Sequence, residues 1–238
     1  MWQKNTFSVS DTGGERLWFC FHADCGVRGR TGFRIRKDTG IHPLLRTKSL
    51  ETNNNSITPF ELPDTFVALS REPRAESYVK RANAYDAYLA GRVDIRYDFR
   101  MNRVVYLIKD GRQVVDAAGR SLDNIKPKWW RYGKSGNPFV CGASRVGIVL
   151  EDCASACSVS SFLSGVALLG TNLQDSHLPY LRKYDRLLVA LDKDATKKAL
   201  DLVRRLQAIR PTSLVVLNKD VKDMTDDERK RTFERYIP

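Results

Sequence analysis

The sequence predicts an α/β fold: a parallel sheet of about four strands with helices on both faces, preceded by a small α+β part and an N-terminal β segment. The main observation is that residues 144–238 alternate short apolar runs with helical patterns, which is typical of a parallel sheet covered on both faces. A second observation is an Asp-Gly pair between two β-rich runs, which is a strong hairpin signal. A third is the alternating apolar pattern on each side of Gly13-Gly14, which predicts two short strands around a turn.

The N-terminal β segment is predicted to span residues 1–46. Its strands are expected near Phe7–Val9 and Leu17–Phe21, and a glycine- and arginine-rich stretch follows them. Residues 47–65 contain an Asn-Asn-Asn run, two prolines and few apolar residues. That composition favours a linker between this segment and the rest of the chain.

Two cysteines and a histidine in the N-terminal segment suggest a metal site. Cys20, His22 and Cys25 lie close together in the sequence. A structural zinc site needs four ligands, usually in two pairs, and only His42 is a distant candidate for a second pair. Either the segment holds no zinc, or its ligands are unconventional.

Residues 66–143 predict a small, basic α+β part. A helical pattern runs from Arg74 to Gly91, where the glycine indicates a stop. The runs Arg103–Ile108 and Arg112–Val115 then flank the Asp-Gly turn of the predicted hairpin. The basic and aromatic stretch KPKWWRYGK follows the hairpin.

Residues 144–238 predict the parallel sheet and its helices. A helix of small residues is expected over Ala154–Leu163. A longer amphipathic helix places its apolar residues, from Ala195 to Ile209, on one face, and Pro211 ends it. The four apolar runs that predict strands are Val146–Leu150, Val166–Leu169, Leu187–Leu191 and Leu214–Leu217.

Carboxylates follow three of these four runs. Glu151 comes directly after the first, Asp192 and Asp194 follow the third, and Asp220 and Asp223 follow the fourth. Ligands of open α/β sheets bind at the carboxyl ends of the strands, so these side chains are expected to share one edge. Clustered carboxylates repel each other, and their hard oxygens suit Mg²⁺ or Mn²⁺. The sequence therefore predicts a divalent-metal site, although any one of these residues alone could be a solvated loop residue or a helix cap.

The charge of the chain favours a polyanionic partner. The formal net charge is +12, and residues 1–143 carry 24 basic and 15 acidic residues, against 16 and 13 in residues 144–238. Nucleic acid is such a partner, because each neutralised phosphate releases condensed counterions. The alternative is a basic surface that serves only solubility.

Several other classes of protein find no support in the sequence. No apolar run approaches the roughly 20 residues that span a bilayer, and the first residues lack the core of a signal peptide, so we expect a cytosolic protein with no membrane partner. Five cysteines, without a secretion signal, predict reduced thiols, and Cys153 and Cys157 are expected to pack in the core. Gly133-Lys134-Ser135 lacks the first glycine of a Walker A motif, so no helicase ATPase is predicted.

These motifs resemble those of a known family. VGIVLED…GVALLGT…LLVALDKDATKKAL…VVLNKDVKD resembles the Toprim domain of DnaG-type primases, topoisomerases and some nucleases. RVVYLIKDGRQVVDAAGR and KPKWWRYG are similar to the primase core that precedes Toprim, and FSVSDTGGERLWFCFHADCGVRGR is similar to the second half of a primase zinc ribbon. The resemblance covers most of residues 7–225 in the family's order, and it is closest to small bacteriophage primases. The departures are Ser155 where bacterial primases carry Asp, Thr196 where Gly is common, and no cysteine before Cys20.

The resemblance implies a DNA primase that uses ribonucleoside triphosphates on a single-stranded DNA template, with a separate replicative helicase. A phage-encoded primase would act in the host cytoplasm. Two ions of Mg²⁺ or Mn²⁺ are implied, and Zn²⁺ only if the ribbon keeps its metal. Some of the aromatic residues are expected to stack on bases, with core packing as the alternative for at least one tryptophan. The implied residues are Glu151, Asp192 and Asp194 for metal and catalysis, Asp220 and Asp223 for further metal binding, Arg120 and Lys128 for catalysis, Arg103, Lys126, Lys128, Trp129, Trp130, Arg131 and Lys134 for nucleic acid, and Cys20, His22 and Cys25 for zinc.

Two other functions stay open at this point. Another Toprim phosphotransfer enzyme, a nuclease or topoisomerase fragment, would share the acidic residues but would not need the basic segment of the primase core. A non-catalytic module that binds single-stranded DNA or a helicase would not need the acidic residues, which are costly when clustered and unused.

Overall fold

The computed structural model describes residues 60–123, 125–192 and 195–237, together with the backbone of three strands nearer the N-terminus. The chain forms two compact units, Met1–Asn55 and Ser56–Pro238. The boundaries predicted at residues 46, 65 and 143 stay predictions.

The N-terminal unit contains an antiparallel sheet with the order β1-β2-β3. Phe7 pairs with Cys20 and Trp18 pairs with Gly29, so the two predicted strands are confirmed and the glycine- and arginine-rich stretch adds a third. The side chains of this sheet, and residues 21–27, lie outside the described residues, so the zinc site of Cys20, His22 and Cys25 stays a prediction. The strands are β1 (Phe7–Thr12), β2 (Glu15–Cys20) and β3 (Arg28–Thr31).

The first sheet of the larger unit is antiparallel, with strands in chain order from β4 to β8. Its central hairpin confirms the Asp-Gly prediction, although the turn falls one residue later than expected. Asp110 pairs with Gln113 across the turn, and Gly111 has a φ of +59°, a conformation that glycine adopts without strain. The strands are β4 (Phe66–Ala68), β5 (Ile95–Asp98), β6 (Arg103–Asp110), β7 (Gln113–Ser121) and β8 (Trp129–Arg131).

Two helices precede β5, where the sequence predicted one. Helix α1 (Pro73–Arg81) and helix α2 (Tyr85–Leu89) are separated at Asn83, whose φ is +53°. Asn tolerates this left-handed conformation, and its amide Nδ2 donates to the carbonyl oxygens of Lys222, at 2.7 Å, and Met224, at 3.1 Å. The single-helix prediction was wrong because α1 ends in a local cap, in which the N–H groups of Asn83 and Ala84 donate to the carbonyl oxygens of Lys80 and Val79.

The second sheet confirms the predicted parallel architecture and adds one strand. Among the described residues its order is β13-β12-β10-β11-β9, with β10 to β13 parallel and β9 antiparallel at the edge. Strand β9 comes from before residue 144, where the sequence predicted no strand of this sheet. The strands are β9 (Phe139–Cys141), β10 (Val146–Leu150), β11 (Ser164–Ala167), β12 (Arg186–Val189) and β13 (Thr212–Leu214).

Helices cover both faces of this sheet. Alternate residues of β10 point to opposite sides: Ile148 packs in the cluster that contains α3, and Val149 packs in the cluster that contains α5. Helix α3 lies so close to β11 that a Cβ on Gly165 would fall 2.3 Å from the carbonyl oxygen of Ala156. The helices are α3 (Cys153–Ser158), α4 (Leu178–Leu181), α5 (Thr196–Gln207) and α6 (Asp226–Phe233).

One core joins the two sheets of the larger unit. Tyr106 of β6 meets Phe139 of β9 edge to face, with ring centroids 5.9 Å apart. Cys153 and Cys157 are buried in the same core, as predicted. Within the described part of the chain, no helix is both long and apolar enough to span a bilayer.

Candidate functional site

A cavity of about 660 Å³ in the larger unit lies where the carboxyl ends of the parallel strands face strands β7 and β8 of the first sheet. Acidic residues line one side, and basic and aromatic residues line the other. The acidic residues are Glu151, Asp152, Asp192, Asp220 and Asp223. The basic and aromatic residues of the other side include Arg120, Lys128, Trp129, Trp130 and Arg131, whereas Lys222 lies among the carboxylates.

Strand ends position the first two carboxylates. Glu151 follows β10 directly, and its carbonyl oxygen accepts the N–H of Gly170, the glycine after β11, at 3.2 Å. Asp192 follows β12, and its backbone N–H donates to Glu151 Oε1 at 3.3 Å. The two strands are neighbours in the sheet, so these two residues meet as the sequence predicted.

Of the other predicted metal ligands, two line the cavity and one lies outside the described residues. Asp220 and Asp223 line the same cavity, from the short 3₁₀ turn that follows β13. Asp194 lies outside the described residues, so its role stays a prediction. Among the residues that the structure describes, no group of three or more His, Cys, Asp or Glu side chains is arranged to hold a metal ion.

The donor set of Glu151 and Asp192 suits Mg²⁺. This ion usually binds proteins through one or two carboxylates, and water and substrate phosphates complete its shell. The pKa of Asp192 is raised to about 6 by burial and by the negative charges of Glu151 and Asp220. A bound cation would relieve this repulsion, so a divalent metal fits the residues that are present.

The raised pKa of Asp192 predicts a pH-dependent stability of the metal-free protein. The folded state binds this proton more tightly than the unfolded state, in which the pKa is near 3.8, so stability rises as pH falls from 7 through about 6. Because Asp192 is only half buried, we expect a gain of about 1 kcal/mol between pH 7 and pH 5. Urea unfolding in EDTA at both pH values measures it. Asp192→Asn should lack this gain, and an equal gain in the variant would contradict the assignment.

Lys222 was missed by the sequence analysis. Its ammonium Nζ donates to Asp152 Oδ2 at 2.8 Å and to Asp220 Oδ2 at 2.9 Å. Burial alone would lower its pKa, but the two carboxylates outweigh burial and raise it, so the side chain is charged. Its place between Asp220 and Asp223 in the sequence was the available signal.

The opposite side of the cavity carries the basic and aromatic residues. The Arg120 guanidinium lies 5.9 Å from the ring centroid of Trp129, a cation–π distance, and its Nε is buried without a hydrogen-bond partner among the described residues. Lys128 is exposed at the rim. Trp129 packs against Tyr106, with centroids 5.8 Å apart, whereas Trp130 is 43% exposed. Core packing therefore accounts for Trp129, and Trp130 is the ring available for stacking.

Two arginines that were predicted to bind nucleic acid donate hydrogen bonds within the protein. Arg103 is only 4% exposed, and its guanidinium donates to the carbonyl oxygens of Gly119, Pro127 and Lys128 at 3.1–3.2 Å. The buried guanidinium therefore supports Pro127 and Lys128, and a contact of Arg103 with nucleic acid stays a prediction.

Arg131 is engaged in the same way, although it lines the cavity. Its Nε donates to Asp116 Oδ2 at 2.8 Å, and its Nη2 donates to Ser135 Oγ and to the carbonyl oxygen of Asn137. These contacts support the loop that follows β8, and direct contact of Arg131 with nucleic acid stays a prediction. Lys126 and Lys134 are exposed, so they stay candidates for contact with nucleic acid outside the cavity.

Comparison with known proteins finds similarity of fold only. No protein-family model and no curated protein sequence matches the chain. A DnaG primase catalytic domain solved with single-stranded DNA is 20% identical, with a TM-score of 0.46, over 70% of this chain and 59% of that one. A DNA primase domain from Pseudomonas aeruginosa is 18% identical, with a TM-score of 0.48, over 71% and 63%. The E. coli primase catalytic core is 19% identical, with a TM-score of 0.47, over 72% and 65%, so the matched region spans less than two thirds of each solved chain.

Proposed function

We propose that this chain is a DNA primase of the DnaG type, similar to small phage primases, that synthesises short RNA primers on single-stranded DNA with Mg²⁺ or Mn²⁺. The observation that carries the proposal is a single cavity that combines Glu151 and Asp192 with Arg120, Lys128 and Trp130. Carboxylates for metal, cations for phosphates and an exposed ring for bases are the groups that nucleotidyl transfer on a template requires.

The residues of the chain would divide the work as follows. Glu151 and Asp192, with Asp194 as a proposed third ligand, would hold the metal at the carboxyl edge of the sheet, and Asp220 and Asp223 would assist. A bound divalent metal supplies the activation of the attacking hydroxyl and the neutralisation of the pyrophosphate charge. Arg120 and Lys128 would bind phosphate oxygens across the cavity. A separate replicative helicase and a cytoplasmic location belong to the same proposal.

A single reaction mixture distinguishes a primase from a nuclease and from a non-catalytic binding module. The protein is incubated with Mg²⁺ or Mn²⁺, labelled ribonucleotides and a single-stranded DNA template of mixed sequence. Short labelled RNA that depends on the template supports a primase. Degraded template would support a nuclease, and binding without product would support a non-catalytic module; either result overturns the proposal.

The exposed ring of Trp130 gives a test of template binding. Stacking of a base on an aromatic side chain contributes about 1–3 kcal/mol, so Trp130→Ala is expected to weaken binding of single-stranded DNA by at least about 5-fold. The melting temperature should stay unchanged because the ring is 43% exposed. Fluorescence anisotropy with a labelled oligonucleotide measures the affinity. Phe99→Ala, which removes a 58% exposed ring that does not line the cavity, is the control and should bind normally.

A further inference from the structure

The ammonium of Lys222 is fixed beside the acidic side of the cavity. Its side chain is 18% exposed, and it donates to one carboxylate from each of two elements: Asp152, after β10, and Asp220, after β13. The backbone beneath it is also fixed. The carbonyl oxygen of Lys222 accepts from Asn83 Nδ2 at 2.7 Å, and the neighbouring Val221 is buried. The charge therefore has a defined position in the folded chain.

Without Lys222, a divalent cation could bind at the position between Asp152 and Asp220 that its ammonium occupies. An ammonium that bridges two carboxylates neutralises one of their two negative charges and satisfies an oxygen of each by a charge-assisted hydrogen bond. The other oxygen of Asp152 accepts the N–H of Ser155 at 2.9 Å, where it caps α3. Asp152 is thus engaged on both sides, and Asp220 is held by Lys222. Glu151 and Asp192 meet on the same side of the cavity, where the backbone N–H of Asp192 donates to Glu151 Oε1 at 3.3 Å.

We propose that Lys222 is a built-in cation that takes one of the two cation positions of the site. The protein alone then binds one divalent ion tightly, at Glu151 and Asp192. A second ion binds Asp220 only when a nucleoside triphosphate is also bound. The phosphate oxygens of the nucleotide then accept hydrogen bonds from the Lys222 ammonium, and Asp220 is released to bind the ion. This inference rests on the proposed function, because it assigns Asp220 to the ion that accompanies the nucleotide.

Counting bound Mn²⁺ tests the proposal without any synthesis. Free Mn²⁺ is measured by electron paramagnetic resonance during titration of the full chain, with and without a non-hydrolysable ribonucleoside triphosphate. The wild-type protein should bind one tight ion alone and two with the nucleotide, after subtraction of the ions that the nucleotide binds by itself. Two tight ions without nucleotide would overturn the proposal, and this arm requires no variant.

Substitution of the lysine provides the second arm. Lys222→Gln is expected to tighten the second Mn²⁺ by about 10-fold in the absence of nucleotide, since Asp152 and Asp220 lose their internal cation. Lys219→Gln is the matched control: it removes the same charge three residues away, from a 45% exposed side chain that pairs with Glu228 at 2.7 Å. Equal Mn²⁺ binding by Lys222→Gln and Lys219→Gln would overturn the proposal.

The two proposals fail in distinguishable ways. If the wild-type protein binds one tight Mn²⁺ alone and two with the nucleotide, but makes no RNA, the role of Lys222 as internal cation is supported and the proposal of primer synthesis is wrong. If RNA is made but the wild-type protein binds two tight ions alone, primer synthesis stands and the role of Lys222 falls.

Discussion

Glu151→Gln is expected to lower the rate of primer synthesis by at least about 100-fold. Metal ions contribute several kcal/mol to the stabilisation of a transition state, and a loss of about 3 kcal/mol corresponds to a factor of about 100. The substitution keeps the shape of the side chain but replaces one carboxylate oxygen with an amide nitrogen, which does not bind Mg²⁺. Incorporation of a labelled ribonucleotide on a single-stranded template measures the rate.

The control for this variant is an exposed carboxylate that does not line the cavity. Asp201 lies on α5, is well exposed and pairs with the exposed Arg204 at 3.3 Å. Asp201→Asn should keep the wild-type rate, and circular dichroism should give similar melting temperatures for both variants. If Glu151→Gln kept more than half of the wild-type rate while folded, the assignment of Glu151 to the metal would be lost.

The acidic site was predictable because it depends on strand order alone. Glu151 and Asp192 each follow an apolar run, and parallel strands place their carboxyl ends at one edge. The two runs became the adjacent strands β10 and β12, and the backbone of Asp192 reaches Glu151 directly. Such a site requires no knowledge of side-chain packing, so a short local pattern was sufficient.

Contacts between distant parts of the chain were not predictable in this way. Lys222 meets Asp152 across 70 positions, and Asn83 meets Lys222 across 139. These contacts hold the side chain and the backbone of Lys222, and neither has a periodic signal in the sequence. The burial of Arg103 was also not predictable, because an arginine next to a basic segment has the same sequence pattern whether it is buried or exposed.

The buried carboxylate of Asp116 organises the loop that follows β8. Asp116 is fully buried. It accepts the N–H groups of Ala117, at 2.7 Å, Gly133, at 2.6 Å, and Ser135, at 3.1 Å, and it pairs with Arg131 Nε at 2.8 Å. A Cβ at Gly133 would fall 2.6 Å from Asp116 Oδ1, so the close approach requires glycine at this position. One side chain thus satisfies three backbone donors and a guanidinium.

Asp116→Ala is therefore expected to destabilise the protein by about 3–5 kcal/mol, because it leaves Arg131 without its carboxylate and removes the acceptor of one buried and two half-buried backbone N–H groups. Whole domains are stable by only about 5–15 kcal/mol, so the effect should be large in urea unfolding. It should also weaken binding of single-stranded DNA, since Trp130 lies on the strand that this network holds.

A double variant separates the charge pair from the rest of the network. Asp116→Ala combined with Arg131→Met removes both partners, so no unpaired guanidinium is left. The double variant should be less destabilised than the sum of the two single variants, by about 1 kcal/mol or more, because residues in one network do not act independently. Strict additivity would show that Asp116 and Arg131 act independently, so that a guanidinium without its carboxylate costs little stability here. The loop that follows β8 would then be held by the hydrogen bonds that Asp116 accepts from Gly133 and Ser135 rather than by the charge pair.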